Sequence, residues 1–199
     1  MNHQAALVVD FGGQYTQLIV RRLRELGVYS EMVPWTKAAE KITEVKPVAV
    51  VLSGGPKSVL EENAPTLDFS VLEGIPTLGI CYGLQLMAHK LGGEVVKTEE
   101  REYGRRHLTW QVEGSLASVI SDPQVWMSHG DKVLKAPAGT VVTASTDSCP
   151  VAAFEDHSRC LYGVQFHPEV SHTPSGFDLL KEFVVRAGLK RDWSAGSFI

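Results

Sequence analysis

The chain has 199 residues, 44% of them hydrophobic, with 19 Lys and Arg against 23 Asp and Glu and a formal charge of −4. That length suits one well-buried domain, and the charge leaves no positive excess for nucleic acid. Three irregularly spaced cysteines point to a reducing cytoplasm, and the sequence has neither a signal-peptide pattern nor an apolar run long enough to cross a bilayer.

In chain order the first half alternates strand and helix. Strands are expected at 5–10, 28–33, 48–53 and 75–80, and helices at 14–26, 36–44 and 82–91. Val48-Ala49-Val50-Val51-Leu52 is apolar without alternation, as a strand buried on both faces requires, and the repeated alternation of strand and helix implies parallel pairing. The expected fold is α/β, a flavodoxin-like open and mostly parallel sheet with helices on both faces. From about 94 to 166, short β-rich runs are separated by Gly, Pro, Asp and Ser, which predicts an antiparallel β extension in the second half. A last helix is expected near 175–187. Residues 191–199 have no clear period and read as a tail or linker, which places the domain at 1–190.

Gly79-Ile80-Cys81-Tyr82-Gly83 sits where the strand at 75–80 gives way to a helix. Such a turn strains its central residue, and small flanking residues let the bend close and a substrate approach. At a helix N-terminus, unpaired N–H groups and the dipole favour thiolate over thiol, and the same N–H groups can hold an oxyanion. Cys81 is thus a candidate nucleophile; a buried structural thiol is the competing reading. A thiol nucleophile needs a base, and the base needs an orienting group. His167 and Glu169, in Gly163-Val164-Gln165-Phe166-His167-Pro168-Glu169, offer both after another apolar run. Two apart in an extended segment, they share a side, so Glu169 can hold one imidazole nitrogen while the other faces the thiol. Both blocks fall at C-terminal ends of predicted strands, where open α/β sheets place their sites.

Ser53-Gly54-Gly55-Pro56 follows the strand at 48–53, where a glycine pair either aims N–H groups into a cleft or simply turns the chain. It is not a nucleotide loop. Pro56 stands where a P-loop needs glycine and has no N–H, and Lys57 occupies the aspartate position of the ATP-pyrophosphatase loop. Gln85 lies one helical turn after Cys81 on the same face. Ser128, Gly130 and Asp131 follow the apolar Val125-Trp126-Met127 and read as a polar turn at a strand end, with His129 structural. His89 and His107 read as surface or satisfied interior residues. Cys81, Cys149 and Cys160 lack nearby Cys or His partners, so no metal is expected.

Together these blocks resemble the triad (class I) glutamine amidotransferases along nearly the whole chain. The resemblance is carried by Val9-Asp10-Phe11-Gly12-Gly13-Gln14-Tyr15, Leu52-Ser53-Gly54-Gly55-Pro56, Gly79-Ile80-Cys81-Tyr82-Gly83-Leu84-Gln85, Met127-Ser128-His129-Gly130-Asp131 and the block around His167. The opening block, Ser128-His129-Gly130-Asp131 and Val170-Ser171-His172-Thr173 are similar to the GMP synthetase branch, which usually carries serine where this chain has Gly13. The resemblance implies a catalytic triad of Cys81, His167 and Glu169 that hydrolyses L-glutamine to glutamate and ammonia through a thioester. It implies an oxyanion hole from the N–H groups of Gly55 and Tyr82, and contacts from Gln85, Ser128, Gly130 and Asp131 to the amino-acid end of glutamine. His172, in a family block, is a candidate for a supporting or interface role.

The resemblance also implies a partner, an ATP-pyrophosphatase (synthetase) unit that uses ATP and Mg²⁺ to aminate XMP; no cofactor is expected in this chain itself. The chain is then expected to be a domain of a longer protein or a subunit working with a separate synthetase. The tail reads as a disordered terminus, with packing of Trp193 and Phe198 on that partner as the alternative. Two rivals remain: an amidotransferase of another branch, such as the anthranilate synthase type, and a redox-regulatory domain in which Cys81 is oxidised. An α/β-hydrolase would place its acid before its histidine, whereas here the acid follows.

Overall fold

A computed structural model describes residues 5–198; residues 1–4 and 199, and the side chains of 197 and 198, lie outside the described part. Five strands are parallel: β1 (Ala5–Asp10), β2 (Tyr29–Pro34), β3 (Ala49–Leu52), β4 (Thr77–Ile80) and β10 (Leu161–Val164). Beyond β10, the strands β9 (Ala153–Asp156), β8 (Val141–Ser145) and β6 (Thr109–Trp110) continue the sheet antiparallel. The order is β2-β1-β3-β4-β10-β9-β8-β6, and the first four positions follow the flavodoxin-like arrangement. The reading as an open, mostly parallel α/β sheet holds.

Period-2 geometry sorts each strand into two cores. Ala6, Val8, Ala49, Val51, Leu78 and Ile80 pack with α1 (Thr16–Glu25) and α4 (Gly176–Arg186) on one face. Leu7, Val9, Val50 and Leu52 pack with α2 (Trp35–Val45) and α3 (Tyr82–Lys90) on the other. Both faces of β3 are buried, which is why its sequence does not alternate.

The second half departs from the expectation of short runs. β5 (Glu94–His107) has 14 residues and β7 (Gln124–Lys135) has 12, and they pair with each other in an antiparallel ribbon separate from the main sheet. The expected turn at Ser128–Asp131 is therefore wrong: the strand runs through it, with Val125, Met127, His129, Asp131 and Val133 buried at every second position. Polar residues mimic a turn here because they face a cleft, not solvent. The register passes from Lys97↔Asp131 to Glu102↔His129, so four residues, 98–101, stand opposite Gly130 alone. This large bulge bends β5 over that cleft.

The tail is not loose up to Trp193. The Trp193 N–H donates to the Gly27 carbonyl at 2.9 Å, and Arg191 Nε donates to the Leu26 carbonyl at 2.7 Å. The Arg24 guanidinium lies over the Trp193 ring, 5.6 Å from its centroid. This chain's own turn after α1 offers carbonyls and a cation, and the tail takes them.

Candidate active site

Cys81 is held at φ 54°, ψ −106° between β4 and α3. Such a conformation is costly and persists only where packing over-determines it. The flanking glycines supply that packing. A Cβ on Gly83 would lie 2.3 Å from the Leu52 carbonyl oxygen, and one on Gly79 would lie 2.7 Å from the backbone of Gly83. Their small size lets the helix sit directly on β3 and β4, so they close the bend and do not merely clear a path to the thiol. The Gly83 N–H is taken by the Ser53 carbonyl and that of Gln85 by the Cys81 carbonyl. The Tyr82 N–H belongs to the peptide bond that directly follows Cys81. The Tyr82 side chain turns away, its hydroxyl bonded to the Pro65 carbonyl, and burial pushes its pKa up to about 12.

His167 and Glu169 lie just past β10, the strand beside β4, so adjacent parallel strands deliver sulfur and imidazole to one edge. His167 Nδ1 lies 2.6 Å from Glu169 Oε1, and the ring and the thiol-bearing side chain meet at Gly54, where an added Cβ would lie 3.9 Å from His167 Nε2 and 3.6 Å from Cys81 Cβ. All three side chains are buried, with 3%, 5% and 1% exposure for Cys81, His167 and Glu169. Burial works against the charged imidazole, but the Glu169 carboxylate and the Cys81 sulfur outweigh it and hold the His167 pKa well above the ordinary value. Glu169 Oε2 is buried without a hydrogen-bond partner.

Several residues that fix this group are not evident from the sequence. Thr173 Oγ1 donates to the His167 carbonyl at 2.7 Å and accepts the Trp126 N–H at 3.0 Å, while the His167 N–H donates to the Trp126 carbonyl. Arg22 of α1 donates from Nε to the Glu169 carbonyl at 3.0 Å, and the Tyr15 ring meets the His167 ring edge-on at 5.3 Å. Tyr15 and Thr173 stand in sequence blocks that carry the family resemblance, but only their spatial neighbours reveal what they do. His172 is exposed and stacks on Trp126, with ring centroids 4.5 Å apart, which places it beside the triad loop and not in it.

The triad opens into a cleft of about 470 Å³ whose walls include Gly55, Gln85, Ser128, Gly130 and Asp131. All the sequence-derived site residues except Tyr82, whose backbone borders the thiol, thus line one cavity. Gly55 is pressed so close to Phe11 that a Cβ would lie 2.6 Å from that residue's carbonyl oxygen, and a Cβ on Gly54 would lie 3.1 Å from His167 Cε1. The Cys81 thiol also lies 3.5 Å from the Ser128 carbonyl. Asp131 Oδ2 is buried and unpartnered at the cleft wall. Of the other thiols, Cys149 is fully buried and its pKa is pushed up to about 12, while Cys160 directly precedes β10, at the end of that strand opposite the triad. Among the described residues, no group of three His, Cys, Asp or Glu is arranged to hold a metal, and no helix is long and apolar enough to cross a membrane.

The profile of the family described as "Glutamine amidotransferase class-I" matches residues 7–187. The chain is 52% identical over 195 residues to a GMP synthase [glutamine-hydrolyzing] of Clostridium perfringens, covering 96% of this chain and 38% of that protein. Against the corresponding protein of Geobacillus kaustophilus it is 51% identical over 202 residues, covering 100% of this chain and 40% of that one. The chain therefore spans about two fifths of the curated relatives it matches. A crystal structure from Thermoplasma acidophilum, provisionally assigned as a GMP synthase subunit, superposes with a TM-score of 0.80 at 31% identity, covering 94% of this chain and 96% of that one. On its matched span, its fold and these relatives, the chain belongs to the class-I glutamine amidotransferase family.

Proposed function

We propose that this chain is the glutaminase part of a GMP synthetase, releasing ammonia from the side-chain amide of L-glutamine. The observation that carries the reading is the buried line of thiol, imidazole and carboxylate at one sheet edge, with His167 bound to Glu169 at 2.6 Å and Cys81 held in a strained turn. Cys81 Sγ attacks the amide carbon while His167 takes the thiol proton; the tetrahedral oxyanion is held by the N–H groups of Gly55 and Tyr82. His167 then delivers that proton to the departing nitrogen, the C–N bond breaks, ammonia leaves, and a thioester remains. Water, deprotonated by the same imidazole, cleaves the thioester to glutamate and restores the thiol. Glu169 keeps the ring oriented and favours its charged form throughout.

Gln85, Ser128, Gly130 and Asp131 hold the amino-acid end of the substrate. The buried, unpartnered Asp131 Oδ2 supports this, since a carboxylate oxygen away from water suits an ammonium group. The ammonia serves an ATP-pyrophosphatase unit that uses ATP and Mg²⁺ to aminate XMP to GMP in the cytoplasm. Relatives of which this chain covers only 38–40% support a synthetase unit in the remainder.

The test is ammonia release from glutamine with and without a GMP synthetase ATP-pyrophosphatase unit, ATP, Mg²⁺ and XMP. A glutamine-analogue chloroketone should label Cys81 alone, and Cys81→Ala should abolish both labelling and glutaminase activity. Labelling at Cys149 or Cys160, or full activity in the variant, overturns the assignment. Ammonia release that does not respond to the XMP-dependent unit overturns the GMP branch and leaves the glutaminase.

A further inference from the structure

Behind the cleft wall stands a second buried histidine–glutamate pair, outside the triad, of which His129 lines the cleft. His129 and Glu102 face each other across the β5–β7 ribbon as register partners, and both are buried. His129 Nε2 lies 2.9 Å from Glu102 Oε2, a close contact bent off the ring's N–H direction. On its other side, His129 Nδ1 lies 2.6 Å from the backbone carbonyl of Asp131. A carbonyl can only accept, so Nδ1 must carry a hydrogen. With that hydrogen on Nδ1, the Glu102 carboxylate lies against the opposite edge of the ring. Burial keeps the ring's pKa below the ordinary value, against the pull of the Asp131 carbonyl and of Glu102.

The arrangement mirrors the triad. Glu169 binds Nδ1 of His167 and leaves the opposite nitrogen for the thiol; Glu102 lies 2.9 Å from Nε2 of His129, whose Nδ1 binds the Asp131 carbonyl. Glu102 is itself held by Arg106 Nε at 2.7 Å and by the Ser148 hydroxyl. The Asp131 carbonyl receives a second hydrogen bond from Gln85 Nε2 at 2.9 Å, and that same amide donates to Gln165 Oε1 at 3.1 Å. Gln165 is fully buried two residues before His167. A continuous polar chain thus ties the ribbon, which is not part of the main sheet, to the loop that bears the triad.

Resting on the glutaminase reading, we propose that His129, oriented by Glu102, is a positioning residue for substrate recognition: it anchors the Asp131 backbone so that the Asp131 carboxylate meets the α-ammonium group of glutamine at a fixed distance from Cys81. It does not touch the reacting atoms. Its removal should weaken glutamine binding and leave the chemistry at sulfur largely intact.

The test separates KI from kinact for Cys81 labelling of the full chain by a glutamine-analogue chloroketone. His129→Leu, which cannot donate, should raise KI about tenfold, roughly the worth of one lost hydrogen bond, and change kinact less than about threefold. His129→Asn, whose amide can stand in for Nδ1–H, should return KI to within about threefold of wild type. Glu102→Leu and Glu102→Gln form a second pair with the same expected contrast, since the Gln amide donates to Nε2 and still accepts from Arg106. This pair decides the matter if His129→Leu does not fold. Wild-type KI in both Leu variants, a loss confined to kinact, or an Asn variant as weak as Leu overturns the proposal while glutaminase chemistry stands. A wild-type chain that Cys81 labelling does not reach at all defeats the glutaminase reading, and this inference with it.

Discussion

Replacing Glu169 by glutamine keeps the shape of the side chain and removes its charge, which isolates what that carboxylate does for His167. In the native protein, Glu169 Oε1 lies 2.6 Å from Nδ1, and Oε2 sits in a buried position with no donor near it. A hydrogen bond to a charged group contributes about 1.5–3 kcal/mol, and one pKa unit corresponds to about 1.4 kcal/mol. The variant should therefore lower the His167 pKa toward its ordinary value. The new NH₂ group would occupy the buried Oε2 position without a protein acceptor, costing about a further 1–3 kcal/mol at every pH. In a chain of this size that is a fall in Tm of roughly 2–4 °C per kcal/mol.

The pH dependence has a defined sign. Because the folded pKa of His167 is raised above that of the unfolded chain, its charge stabilises the fold fully below the ordinary histidine pKa, and the contribution fades as pH rises through the higher native value. Glu169→Gln removes most of that contribution, so the Tm gap between wild type and variant should be widest in mild acid and narrow toward alkaline pH. Ring titration of His167 by NMR and thermal unfolding across the pH range measure both quantities. A variant pKa at or above the wild-type value, or a Tm gap that widens with rising pH, would refute the assignment of Glu169 as the group that favours the imidazolium.

Gly83→Ala places a methyl group 2.3 Å from the Leu52 carbonyl, and since backbone cannot yield cheaply it should cost about 3 kcal/mol, visible as a lowered denaturation midpoint. Gly54→Ala presses 3.1 Å from His167 Cε1 without a backbone clash; it should slow Cys81 labelling by about tenfold while Tm stays nearly constant. A large Tm loss with unchanged labelling would contradict that geometry. Trp193→Ala removes the ring under Arg24 and should cost about 1 kcal/mol, or roughly 2–4 °C in Tm; an unchanged Tm would mean that the tail does not dock on α1 in solution.

The amino-acid sequence by itself determined the features that depend on near neighbours along the chain. Unbroken apolar runs made buried strands, glycines at 79 and 83 bracketed a strained residue, and a histidine and a glutamate two apart shared one side of an extended segment. Only the tertiary structure decided the rest. Ser128, Gly130 and Asp131 read as a turn because their polarity is local, yet they lie inside a long strand whose polar positions face a cleft. Trp193 read as a loose end because the carbonyl it needs belongs to Gly27. Gln85 meets Asp131 across 46 residues and Gln165 across 80, and Arg22 reaches Glu169 across 147. No periodicity encodes such pairs, because a hydrogen bond between distant segments depends on how two sheets and a helix come to rest against one another, and the pattern of residues within either segment is the same whether or not they meet.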